Sequence, residues 1–152
     1  MEYFKEGLAQ WEVNEENQKG YQGKLVARFD KLINDLTSGT ISSFAPTELR
    51  TVIAKKNLEL CQAGQQQDSA EILSVILDGL HEDLNRADGT EKYEEFPDSN
   101  GRSDDVVSEE HWKIHRKLND SLIVDLFQFR VEHRHFGRKS HNLLTLLKKV
   151  LF

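Results

Sequence analysis

The 152-residue chain contains one cysteine, Cys61, so no intrachain disulfide forms and a reducing compartment suits it. No apolar run approaches the length needed to cross a bilayer. The opening residues, Met1-Glu2-Tyr3-Phe4-Lys5-Glu6, lack both the basic and the apolar stretch of a secretory signal. An intracellular protein, cytoplasmic or nuclear, is expected. No internal repeat or low-complexity array is visible. Acid is scarce in one region only. Residues 129–152 hold Glu132 alone against six Lys and Arg, whereas residues 1–128 hold 25 Asp and Glu against 14 Lys and Arg. The net charge of −6 is therefore an acidic body with a basic tail. Such a body disfavours nucleic acid and suits a basic partner.

The hydrophobic fraction of 38% and charged fraction of 30% fit one soluble domain with a real core. Helical spacing of Leu25, Phe29, Leu32, Ile33 and Leu36 predicts a helix over 23–36, after a turn at Gly20-Tyr21-Gln22-Gly23. Pro46 suits the first turn of a short helix reaching Lys56, with Leu49, Val52 and Ile53 inward. A main helix starts near Asp68 or Ser69. Ile72, Leu73, Ile76, Leu77, Leu80 and Leu84 form its apolar face, with Asp78, His81, Glu82 and Asp83 on other faces. Gly79 weakens this helix unless close packing needs it. Residues 87–105 read as an exposed, mobile loop. Ser108-Glu109-Glu110 starts another helix, and Leu122-Ile123-Val124 favours an extended or strongly buried segment. The apolar cluster of Leu143, Leu144, Leu146, Leu147, Val150, Leu151 and Phe152 suits a helix that packs on a partner. A basic tail also suits nucleic acid or a membrane surface.

Few residues carry chemistry. Asp68 and Glu71 form an Asp-x-x-Glu capping arrangement, in which Asp68 accepts from a first-turn amide and Glu71 reaches back. Both carboxylates also suit a basic partner. Cys61, the only thiol, stands in a loop with no recognisable histidine beside it. His111 and His115 share a helix face, but no His-Glu-x-x-His pattern accompanies them. Asp98-Ser99-Asn100-Gly101-Arg102 has its glycine too early for a calcium loop. Gly20-Tyr21-Gln22-Gly23-Lys24 is too short to cradle a phosphate. No metal and no cofactor is expected.

Gln-Gln-Asp at 66–68 and His-Glu-Asp-Leu-Asn-Arg at 81–86 together resemble signature words of the ubiquitin-specific proteases, cysteine peptidases that remove ubiquitin from proteins. The resemblance extends to Glu15–Leu25, Ala45–Lys55, Asp98–Asp104, His111-Trp112 and Asn119–Gln128, and covers about 3–128, most like the large multidomain subgroup. It implies a mainly α chain, the helical thumb of a hand-shaped, papain-like α+β cysteine peptidase domain. It divides the chain into a partial catalytic domain, 1–128, and a divergent tail, 129–152. It places Gln66, Asp68 and Glu71 against the basic ubiquitin tail, with Asp68 hydrogen-bonded to an arginine of that tail. The family's usual glutamine is replaced by Ala70. No Gly-Asn-Thr-Cys box is present, and the Cys-x-x-Cys hairpin expected after Gln128 is absent. The resemblance thus implies ubiquitin as partner and no catalytic residue in this chain. Two alternatives remain open: a non-catalytic ubiquitin-binding or regulatory module, and a truncated gene product without its own function.

Overall fold

The structure, a computed structural model, describes residues 12–40, 43–62, 64–87, 94–97, 100–133 and 144–149. The chain is mainly helical. Among the described residues five helices run in order: α1 (Lys24–Thr37), α2 (Thr47–Ala54), α3 (Ser69–Asp83), α4 (Asp104–Leu118) and α5 (Leu122–Phe127). A single 3-10 turn, Glu59–Cys61, lies between α2 and α3. Strands β1 (Gln128–His133) and β2 (Leu144–Lys149) pair antiparallel, with Gln128 opposite Lys149 and His133 opposite Leu144.

α3 packs against both α1 and α5, and α2 packs on α1. Leu80 and Leu84 of α3 are fully buried, as is Leu25 of α1. Tyr21, Val26, Leu49, Val52, Ile53, Leu122 and Ile123 complete the same core. Burying each such aliphatic side chain contributes roughly 1.5–3 kcal/mol. The expected inward residues of α2, Leu49, Val52 and Ile53, are all buried. Gly79 is needed where it stands. An added Cβ would lie 2.4 Å from Leu25 Cδ2 and 2.7 Å from the Tyr21 ring, so the helices approach closely at this point.

Three expectations are corrected. α4 begins at Asp104, not Ser108, with Ser103 at its N-cap position and Asp104 and Asp105 in its first turn. Those two carboxylates favour the positive helix start, as the two of Ser-Glu-Glu would at the later one. Residues 122–124 are strongly buried, as one of the two readings has it, and helical rather than extended, because Ser121 caps the turn by accepting from the Val124 amide at 3.3 Å. Residues 144–149 form a strand rather than a helix, because β1 supplies an edge for them to pair with. His81 and Asp83, off the apolar face of α3, are buried as well. Of the stretch read as a mobile loop, 88–93 and 98–99 lie outside the described residues.

Asp83 is a fully buried, non-local polar feature. Gly23, at φ 75°, occupies the N-cap position of α1 and has no side chain to cap it. The Asp83 carboxylate, from the last residue of α3, takes over. It accepts from the Tyr21 amide, from the Leu25 amide at 3.1 Å and from the Val26 amide at 3.4 Å. Burial pushes this carboxyl above the usual range, and the backbone donors pull it back down. Neighbouring residues fasten the same corner. Asn14 N–H donates to Asp83 O at 2.8 Å, and Asn17 Nδ2 donates to Glu82 at 2.8 Å. Asn85 Nδ2 donates to Leu118 O at 3.0 Å, and Asn85 Oδ1 accepts from the Asp120 amide at 2.9 Å. Lys56 Nζ donates to the carbonyls of Gln18, Lys19 and Gly20 and sits 5.2 Å from the Tyr21 ring centre.

Candidate functional site

The Gln-Gln-Gln-Asp run has no regular secondary structure and leads directly into α3. Gln65 and Gln67 line a groove, Gln67 half-buried, and Gln65, Gln66 and Asp68 are exposed. Gln67 is anchored, its Nε2 donating to Glu59 O at 3.1 Å. Asp68 adopts an extended backbone and accepts from the Ala70 amide through Oδ1 at 2.8 Å. The predicted N-cap is therefore formed. The returning half of the capping box is not: Glu71 is exposed and does not bond the Asp68 amide. Its carboxylate instead stands in the first turn, one helical turn from Asp68, where it favours the helix dipole. Gln66, Asp68 and Glu71 are thus all exposed around one helix start, with Ala70 exposed among them.

Beside this acidic start lies an open cavity of about 470 Å³. Leu32 of α1, Leu49 and Ile53 of α2, and Ile72 and Ile76 of α3 form its walls. Cys61 and Arg50 stand at its edge and hold each other: Arg50 Nε donates to Cys61 O at 3.2 Å, and Cys61 Sγ donates to Arg50 O at 3.6 Å. Sequence patterning does not reveal this groove, because its walls come from three helices that merely show inward faces.

No histidine among those whose rings are described serves Cys61. His81 bonds Ser121 and Asn119, His111 Nε2 lies 3.0 Å from Pro97 O, and His115 Nε2 lies 2.8 Å from Gln128 Oε1. The shared helix face of His111 and His115 therefore serves hydrogen bonding to separate carbonyls. Among the described residues, no three His, Cys, Asp or Glu side chains come together in a metal-binding group.

The residues missed by sequence reasoning sit at the other end of α3. Local pattern sets His81 and Asp83 off the apolar face and is silent on Asn85, yet all three are buried and bonded to distant segments. One signal was available. An aspartate at a helix C-terminus opposes its own helix dipole, which points to a donor elsewhere.

The sequence matches the model of a family described as ubiquitin carboxyl-terminal hydrolase over residues 1–142. It is 41% identical over 127 residues to ubiquitin carboxyl-terminal hydrolase 19 of Rattus norvegicus, covering 84% of this chain and 9% of that protein. It is 42% identical over 127 residues to ubiquitin carboxyl-terminal hydrolase 32 of Drosophila melanogaster, covering 83% of this chain and 7% of that protein. Against ubiquitin carboxyl-terminal hydrolase 4 of Rattus norvegicus it is 42% identical over 126 residues, covering 83% of this chain and 13% of that protein. The chain spans about a tenth of the length of the curated relatives it matches.

Proposed function

The chain belongs to the ubiquitin carboxyl-terminal hydrolase family, and we infer that it is the helical, thumb-like portion of a deubiquitinating cysteine peptidase. The intact enzyme would cleave the bond after the C-terminal glycine of ubiquitin by thiolate attack with a histidine as base. In this reading residues 1–128 are the family-like unit and 129–152 a divergent tail. The 127-residue span of identity has the size of that unit, whereas the family match runs on to residue 142, past β1.

The observation that carries this reading is the exposed acidic start of α3. Asp68 spends one oxygen on the Ala70 amide and keeps lone pairs for an incoming donor. Glu71 has no hydrogen bond to the cap, and Gln66 is exposed beside them. A basic, extended peptide such as the ubiquitin tail offers the complementary charge, and an arginine reaching Asp68 would form a charge-assisted bond.

Titration of the 152-residue chain with labelled ubiquitin tests this. Weak saturable binding is expected, lost in Asp68→Lys and weakened in Glu71→Lys. No saturation up to about millimolar ubiquitin would remove the binding reading and leave a truncated product without its own function. Stability separates the two acids. Asp68→Ala is expected to cost about 1 kcal/mol through the lost cap, whereas Glu71→Ala stays within about 0.5 kcal/mol, as for an unbonded surface residue. Urea unfolding of both variants measures this.

The chain by itself is expected not to turn over a fluorogenic ubiquitin substrate. Its one thiol is bonded to Arg50 O, and the described histidine rings are engaged elsewhere. Turnover abolished by Cys61→Ala would overturn this. Binding without turnover is the behaviour of a non-catalytic ubiquitin-binding or regulatory module, and the two assays together identify it.

A further inference from the structure

A line of side chains crosses from α3 to β1 through the α4–α5 junction. Ser121 Oγ accepts from the Val124 amide and lies 2.7 Å from His81 Nδ1. His81 Nε2 lies 3.2 Å from Asn119 Oδ1. Asn119 Nδ2 lies 3.4 Å from His115 Nδ1 and donates to His115 O at 3.2 Å. His115 Nε2 lies 2.8 Å from Gln128 Oε1. Ser121 is fully buried and His81 only 2% exposed, so solvent does not replace a lost partner there.

The chemistry of each atom fixes the direction of the line. An amide oxygen only accepts, so His81 and His115 each carry a proton on Nε2. His81 Nδ1 then accepts the Ser121 hydroxyl proton, and His115 Nδ1 accepts from Asn119 Nδ2. Every partner is satisfied while both rings are neutral. A second proton on His115 would set its Nδ1–H against the Asn119 NH₂ group. Turning the Asn119 amide over relieves His115 but sets the NH₂ group against His81 Nε2–H. A second proton on His81 would face Ser121 Oγ, displacing the serine proton from its acceptor. One amide oxygen stands between two rings and serves only one of them.

We propose that this shared amide makes the line an acid-operated latch: α4, α5 and the start of β1 stay docked on α3 only while both rings are neutral, and protonation of either releases them. The surroundings agree. Burial is the main influence on each ring and lowers its basicity. Around His81, Glu82 of α3 and the Asn119 bond pull the other way, and Lys19 of the 12–23 segment adds to the lowering. Around His115, the Gln128 bond opposes burial, whereas His81 and Arg116 reinforce it. Trp112 covers the His115 ring at 5.4 Å. Both folded values lie below the ordinary 6.5, so the unfolded chain takes up protons that the folded chain refuses. The contribution is full above about pH 6.5 and is lost as pH falls. Two refusing rings would lower the folded-to-unfolded ratio by up to about a hundredfold between pH 7.5 and 5.5.

Imidazole ¹⁵N NMR, native-state hydrogen exchange and urea unfolding of the 152-residue chain test the latch. Expected are Nε2–H tautomers on both rings at pH 7.5. At pH 5.5, the Val124 amide should lose protection ahead of the α1 amides. His81→Gln should blunt the pH dependence, if that variant folds. Asn119→Asp keeps the test decisive in any case, because a carboxylate accepts from both rings at once. It should raise both ring titrations and cut the acid loss to about tenfold or less, as expected where the rings no longer refuse protons. An Nδ1–H tautomer on either ring, a uniform loss of protection, or equal pH dependence in wild type and Asn119→Asp would overturn the proposal.

Discussion

Asp83→Ala is expected to remove about 3–5 kcal/mol of folding stability, more than the loss of any other single polar side chain in the fold. The carboxylate is fully buried and accepts from the Tyr21, Leu25 and Val26 amides. Removing it leaves buried N–H groups unpaired at the start of α1, each costing about 1–3 kcal/mol. Gly23 offers no side chain to replace it. A domain of ordinary stability, about 5–15 kcal/mol, would lose a large fraction of its margin. The measurement is the urea midpoint at constant slope. A loss below about 1 kcal/mol would show that water reaches the α1 amides and that Asp83 is not their cap. Asp83→Asn keeps an accepting oxygen and is expected to cost less. It should also change the pH response. Burial raises the carboxyl above its unfolded value, so the folded chain holds that proton more tightly. Stability from this group is therefore present below the unfolded value of 3.8 and is lost as pH rises through the folded value. That sense is opposite to the sense at His81 and His115, and Asp83→Asn should abolish it.

Gly79→Ala is expected to destabilise by about 2 kcal/mol, against the sign of helix propensity. Propensity alone favours alanine by about 1 kcal/mol inside a helix. Packing decides otherwise. The new Cβ would stand 2.4 Å from Leu25 Cδ2 and 2.7 Å from the Tyr21 ring. Leu25 is fully buried and Tyr21 is 7% exposed, so neither moves aside easily. Overpacking of this kind costs about 1–3 kcal/mol and here adds to the separation of α1 from α3. The pair Gly79→Ala with Leu25→Ala makes the test specific. If the clash is the cause, the double variant loses less than the two single losses together, with a coupling of about 1 kcal/mol or more. Simple additivity, or stabilisation by Gly79→Ala alone, would place the glycine's role elsewhere.

Much of the helical layout was legible because its causes are local. The spacing of Leu25, Phe29 and Ile33 marks α1, and Asp68 marks the start of α3 and caps it. The same locality explains the errors. Ser103-Asp104 and Ser108-Glu109 are both adequate helix starts, and local chemistry does not rank them. Leu122-Ile123-Val124 favours strand by side-chain branching, but Ser121 and burial against α3 hold it as helix. Leu144–Lys149 has spacing compatible with either form, and pairing with β1 selects the strand.

The candidate site divides in the same way. Gln66, Asp68 and Glu71 are neighbours in sequence and remain neighbours in space, so a resemblance in the sequence was enough to single them out as candidates. The groove beside them, bounded by Leu32, Ile53 and Ile76, exists only once three helices meet. By itself the sequence determined the family, the helical character and the acidic start of α3, because helix caps, apolar spacing and signature words act over a few residues. Tertiary structure alone decided the roles of His81, Asp83 and Gly79. The first is bonded to Asn119 and Ser121, the second caps a helix 57–62 residues away, and the third makes room for Tyr21 and Leu25. Their partners lie tens of residues distant, and what each side chain does is set by a neighbour that chain order does not reveal.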